Sequence, residues 1–259
     1  DEHRFEQLNA AEVTLSCSDV AAPSDNSNLI VRAANALRER FNVHRGVHVH
    51  LQKNIPMQAG LGGASSNAAV SLLALTRLWG LDATGAEIEE IAAKLGADVP
   101  FFLVGGTALA TGTGTTITIL QDVEPKHLIV VKPHASVSTA DAYRSFSSTR
   151  LTLKNTKPIL SGSPTEPNFL DSEQWILEND FESVIFDIEP EIRRVKQALL
   201  AAGASDALLA GSGSSVFGIF SSPEAQQRAS EKITLEAGWR MFPCVTLSRA
   251  GYAQALKIS

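Results

Sequence analysis

Three short stretches hold residues whose types and spacing suit chemistry. The first is Ile55-Pro56-Met57-Gln58-Ala59-Gly60-Leu61-Gly62-Gly63-Ala64-Ser65-Ser66-Asn67-Ala68-Ala69. Gly60, Gly62 and Gly63 carry no Cβ, so the backbone there can take φ > 0 and come close to a ligand. Ser65, Ser66 and Asn67 are residue types that cap helices. From Ala68 to Trp79, the residues Ala69, Leu72, Leu73, Thr76 and Trp79 recur at helical spacing, which predicts a helix starting there. A glycine loop feeding a helix N-terminus gathers unpaired N–H groups and the positive end of the helix dipole, a combination that suits phosphate. It is not a Walker loop, since no lysine lies between Lys53 and Lys94. Nor is it the dinucleotide fingerprint, because its glycines read G-x-G-G. A tight strand-to-helix loop without a ligand is the competing reading.

The second stretch is Gly96-Ala97-Asp98-Val99-Pro100-Phe101-Phe102. Asp98 stands directly ahead of an apolar run, either as a turn aspartate or as a partly desolvated carboxylate placed to take a proton from a hydroxyl. The third is Gly211-Ser212-Gly213-Ser214-Ser215, a hairpin turn or a second backbone cradle. His48 and His50 share one face of a predicted strand; with no third ligand nearby, a solvated face is favoured over a metal pair.

The elements that must position these residues follow from periodicity. Strands are predicted at Val13–Ser16, around Val47, Val49 and Leu51, at Thr107–Thr111, Thr115–Leu120 and Leu128–Lys132, and at Ala207–Ala210, Ser215–Phe220 and Cys244–Ser248. Helices are predicted from Leu29 to Arg40, from Thr84 to Leu95 behind a Thr84/Glu87 capping box, from Ser138 to Phe146, from Pro190 to Ala202 and from Pro223 to Ala237, with another helical region starting at Asn179. Ser161–Pro167 reads as a polar loop, and a composition shift over residues 133–160 suggests a boundary between residues 1–135 and 136–259. With 259 residues, 44 % of them hydrophobic, the chain can bury a large core. A net charge of −6 argues against nucleic-acid and membrane-surface partners. Cys17 and Cys244 are the only cysteines, which points to a reducing compartment. No apolar run approaches the ~20 residues that cross a bilayer.

In order along the chain, these three stretches resemble the signature motifs of the GHMP small-molecule kinase superfamily. Ile55-Pro56-Met57, Gly60–Ala69 and Gly96–Phe102 closely resemble, within it, the 4-diphosphocytidyl-2-C-methyl-D-erythritol kinase family of the non-mevalonate isoprenoid route. Asn28-Leu29-Ile30, Val137-Ser138-Thr139-Ala140 with Tyr143, and Asn179-Asp180-Phe181-Glu182 fit the same family. The resemblance implies an α+β, two-lobed fold, with a ribosomal-protein-S5-like N-terminal lobe and a ferredoxin-like C-terminal lobe. It implies ATP and Mg²⁺ as cofactors. Pro56, Gly60, Leu61, Gly62, Gly63, Ala64, Ser65, Ser66 and Asn67 would hold the ATP phosphates, with Mg²⁺ at Ser66 and with Asn28 and Lys53 near the adenosine. Asp98 would be the catalytic base. Thr139, Tyr143, Gly211, Ser212 and Gly213 would join Asp98 around a cytidine-diphosphate-linked polyol. The protein is expected to be a monomer or homodimer in a bacterial cytoplasm or plastid stroma.

Two alternatives stay open at this stage. One is another GHMP kinase for homoserine or mevalonate, against which the Asp98-Val99-Pro100-Phe101-Phe102 context speaks. The other is a nucleotide-binding relative without catalysis. The family begins with a lysine-bearing strand and a Gly-Tyr-His segment that Asp1–Phe5 does not supply. The expectation is therefore a chain processed or truncated at its start, with one sheet edge bare.

Overall fold

The computed structural model describes residues 1–150 and 178–256. The loop expected over Ser161–Pro167 lies outside them. The chain forms two compact units that do not follow a single cut in the sequence. One holds Asp1–Met57, Gly62–Pro125 and the stretch from Thr246; the other holds Gln58–Leu61 and Lys126–Val245.

The first unit opens with β1 (Glu2–Leu8), β2 (Val13–Cys17), α1 (Leu29–Phe41) and β3 (Gly46–Gln52). β3 is the middle strand of a three-stranded sheet, antiparallel to β1 and parallel to β2. Its alternation places Val47, Val49 and Leu51 in the core, each at 1 % exposure or less. On the other face His48 Nδ1 lies 2.8 Å from Thr14 Oγ1, and His50 Nδ1 lies 2.9 Å from Ser16 Oγ. Among the described residues no group of three His, Cys, Asp or Glu side chains is placed to hold a metal. β1 escaped the periodicity reading because Glu2, Arg4, Glu6 and Gln7 are all exposed, leaving His3, Phe5 and Leu8 to turn partly inward. Such charges suit an outer strand, where they discourage pairing with other chains.

Asn28 starts α1 by accepting a 2.9 Å hydrogen bond from the Ile30 N–H. α2 (Gly63–Leu78) begins earlier than the expected Ala68. Gly62, at φ 66°, occupies the N-cap without any side-chain cap, so Ser65, Ser66 and Asn67 fall inside the helix rather than at its entry. α3 (Gly85–Leu95) has the predicted Thr84/Glu87 capping box and buries Ile88, Ile91, Ala92 and Leu95. The apolar run after Asp98 forms a one-turn helix, α4 (Phe101–Val104), and a hairpin follows, β4 (Ala108–Thr111) with β5 (Thr116–Ile119).

The second unit comprises β6 (His127–Lys132), α5 (Thr139–Arg150), α6 (Glu182–Ile188), α7 (Pro190–Ala201), β7 (Asp206–Leu209), β8 (Val216–Phe220), α8 (Pro223–Lys232) and β9 (Arg240–Val245). Its sheet has the order β7-β8-β6-β9 with every neighbour antiparallel. That order, with helices between β6 and β7 and between β8 and β9, is the ferredoxin-like pattern. Ile192, Val195 and Leu199 of α7 are wholly buried against it.

Two boundaries move here. α8 stops at Lys232 rather than Ala237, because Ile233 packs into the core while Leu235 stays 41 % exposed, which breaks the helical stripe. The last strand lies at Arg240–Val245, paired with β6, instead of Cys244–Ser248. Ser248 instead caps a helix absent from the sequence reading, α9 (Arg249–Ala255), which belongs to the first unit.

Candidate nucleotide-binding and catalytic site

In the first unit the glycine stretch delivers its chain into the N-terminus of α2. The first four N–H groups of a helix have no intrahelical partner, and here no side chain caps them. Ser65 and Ser66 sit half-buried in that opening turn, with Ala64 exposed beside them. A Cβ on Gly62 would come within 2.6 Å of the Phe102 ring, and one on Gly63 within 3.0 Å of Ile55 and 3.4 Å of Lys53 Nζ. Gly62 is therefore constrained by packing as well as by its backbone conformation, whereas a side chain at Gly63 would press on Ile55.

Lys53 turns inward. Its side chain is 8 % exposed, and its ammonium donates at 2.8 Å to the Asp1 carboxylate and also to the Ile55 carbonyl. Burial pushes this ammonium below the ordinary lysine range, with nearby Cys17 and Asp19 opposing that in part. Asn67 is 4 % exposed and directs its Nδ2 to the same carboxylate at 2.8 Å. Neither of these two expected nucleotide contacts presents its polar end outward. Asn28, paired with Lys53 in the expectation, is occupied at the N-cap of α1, with Nδ2 donating to the Pro23 carbonyl at 2.7 Å. Among the described residues no bond joins it to Lys53.

Asp98 differs from the desolvated group that its sequence context suggested. It is exposed, in the turn after α3, while Val99 and Pro100 behind it are buried. The apolar run fills the core through those residues and through Phe102, so the acid is left facing solvent. The Phe102 carbonyl accepts from Tyr252 Oη at 2.7 Å. The Tyr252 ring lies where a Cβ on Gly105 would fall. Burial raises the Tyr252 pKa, which keeps the hydroxyl protonated as a donor. Sequence reading singled out neither Tyr252 nor Asp1; Ser248 ahead of Tyr252 was a usable cap signal, whereas Asp1 offered none.

In the second unit the first and third stretches meet. Gly60, at φ 71°, lies so close to the third stretch that a Cβ would fall 1.9 Å from the Ala210 carbonyl oxygen. The Ser215 N–H donates to the Ala59 carbonyl at 3.1 Å. Pro56 and Leu61 flank this contact in sequence, both half-buried. Asn179 braces the turn, its Nδ2 donating to the carbonyls of Leu209 at 2.9 Å and Gly211 at 2.7 Å. Gly211 is exposed, Ser212 half-buried and Gly213 buried. Beside them is an open hollow of about 450 Å³ lined by Asn179, Phe181, Leu208, Gly211 and Phe217. Thr139 opens α5. Tyr143, one turn later, is 57 % exposed and packs edge-on 5.0 Å from the Phe181 ring.

Comparison with known proteins identifies the family. Residues 28–106 match the GHMP kinases N terminal domain, and residues 167–237 match the GHMP kinases C terminal family. The chain is 39 % identical over 239 residues to the 4-diphosphocytidyl-2-C-methyl-D-erythritol kinase of Prosthecochloris aestuarii, covering 90 % of this chain and 81 % of that kinase. With the enzyme of that name from Chlorobium phaeobacteroides strain BS1 the identity is 43 % over 208 residues, covering 80 % of this chain and 72 % of the other. A crystal structure of 4-(cytidine 5'-diphospho)-2C-methyl-D-erythritol kinase superposes with a TM-score of 0.75 at 30 % identity, over 95 % of this chain and 86 % of that one. Homoserine kinase from Cytophaga hutchinsonii shares the fold, with a TM-score of 0.65 at 19 % identity over 94 % of this chain and 84 % of that one. The chain belongs to the GHMP kinases, in the 4-diphosphocytidyl-2-C-methyl-D-erythritol kinase family.

Proposed function

We propose that this protein transfers the γ-phosphoryl group of ATP to the 2-hydroxyl of 4-diphosphocytidyl-2-C-methyl-D-erythritol, a step in making isoprenoid precursors by the non-mevalonate route. The observation that carries this reading is the uncapped N-terminus of α2, entered through Gly62 at φ 66°, whose first N–H groups have no side-chain cap. Backbone N–H groups from Gly60 to Ser65 would hold the phosphates, since the Ser66 N–H already donates to the Gly62 carbonyl at 2.8 Å. Phosphoryl transfer asks mainly for positioning and charge stabilisation, so such a cradle and one base suffice. Asp98, exposed and without a hydrogen bond or ion pair among the described residues, takes the proton of the acceptor hydroxyl as its oxygen attacks the γ-phosphorus and ADP leaves. Residues 1–135 would serve nucleotide binding. Thr139, Tyr143 and the Gly211–Gly213 turn, within residues 136–259, would contact the acceptor.

Mg²⁺ would enter this site with the nucleotide. Ser66, half-buried in the opening turn of α2, would offer it one hydroxyl oxygen, and Mg²⁺ is commonly held by substrate phosphates with few protein ligands. When bound it would neutralise the developing phosphate charge. The bacterial source of the similar enzymes supports a bacterial cytoplasm over a plastid stroma. Identities near 40 % to named kinases favour catalysis over nucleotide binding alone. Steady-state phosphorylation of the cytidine-linked polyol, mevalonate and homoserine tests the reading. Turnover with the first and little with the others is expected; comparable turnover of mevalonate would move the chain to another branch.

A further inference from the structure

Asp1 makes four hydrogen bonds through one carboxylate. Oδ1 accepts from the N–H groups of Asn54 at 2.8 Å and Ile55 at 2.7 Å. Oδ2 accepts from Lys53 Nζ and from Asn67 Nδ2, each at 2.8 Å. The side chain is 1 % exposed. Its partners fall at two places in the sequence: Lys53, Asn54 and Ile55 enter the glycine stretch, and Asn67 lies in α2 where that stretch ends. The carboxylate therefore ties the two ends of the glycine stretch to one point.

Lys53 Nζ also lies beneath Gly63, at the end of α2 where the dipole is already positive. An unpaired ammonium there would repel that end and seek an anion. With Asp1 beside it, the ammonium is held beneath the loop at 8 % exposure, so the loop keeps its shape instead of being pulled open by a freed cation. We infer that Asp1 is a positioning residue for nucleotide binding: it closes the base of the phosphate loop and sets its shape without touching ATP. This rests on the proposed nucleotide site and names a residue that lies outside it.

The test measures ATP affinity directly, by calorimetry without acceptor, alongside KM for ATP and kcat with the cytidine-linked polyol. Asp1→Asn keeps the shape and one acceptor oxygen but loses the charge and replaces Oδ2 with a donor. The expected result is about a tenfold rise in both Kd and KM for ATP, with kcat within about threefold. A fall in kcat or in melting temperature with ATP affinity unchanged would reduce Asp1 to a structural or catalytic-step role and overturn the inference. Asn67→Ala removes only one of the four bonds and keeps the ion pair, so it remains informative if Asp1→Asn fails to fold. It should raise Kd for ATP about threefold, and an unchanged Kd would likewise overturn the inference. Absence of ATP binding in the unaltered protein would instead count against the proposed nucleotide site.

Discussion

Asp1 and Asp98 are two carboxylates of one unit with opposite surroundings. Asp98 sits in a sequence that advertises chemistry, and the fold leaves it exposed and unbonded among the described residues. Asp1 sits in a strand-forming stretch with no motif, and the fold buries its side chain to 1 % exposure with four donors around it. A carboxylate saturated with donors has no lone pair left for a reacting proton, so its work is architectural. A carboxylate without partners can accept one. Function divides between them by what each is free to do.

The comparison breaks most visibly in stability. Asp1→Asn should cost about 3 kcal/mol or more in urea unfolding, because it strands the buried Lys53 ammonium. Asp98→Asn should leave the urea midpoint nearly unchanged, and equal losses in the two variants would erase the distinction. In catalysis the order reverses. Asp98→Asn keeps size while removing proton acceptance, and turnover should fall about 10²-fold or more with ATP affinity little changed. Full turnover in that variant would make Asp98 a turn residue like any other.

The smallest effect sharpens the Asp1 side through its neighbour on β1. His3 stacks on Phe5 and has its Nε2 buried without a partner among the described residues. Burial first, then nearby positive charge including Lys53, lowers its pKa from 6.5 to about 4. As pH falls from 6.5 the unfolded chain takes up this proton before the folded one. Stability is therefore intact above about pH 6.5 and declines toward pH 4. Discounted for partial solvent access, the loss should be about 1 kcal/mol. Urea unfolding at pH 7 and pH 5 checks it, and His3→Val should flatten the difference. An equally steep decline in that variant would assign the acid sensitivity elsewhere.

Much of this was legible in order along the chain. Alternation at Val47, Val49 and Leu51, the Thr84/Glu87 box, the Ile192, Val195 and Leu199 stripe and the three glycine- or aspartate-bearing stretches are all local patterns. Local backbone preference and one-sided burial produce them, so residue order alone determines them. The start of α2 at Gly63 was not legible, because three cap-type residues follow a glycine that does the capping through its backbone. β1 stayed hidden because a strand that exposes its charges at a sheet's edge has almost no hydrophobic alternation to read. What only the tertiary structure decided is which polar groups meet. Asp1 reaches Asn67, Tyr252 reaches Phe102, and Gly60 lies against Ala210. Each joins residues far apart in sequence, and hydrogen-bond partners at such separation are chosen by how the chain packs, which no local spacing encodes.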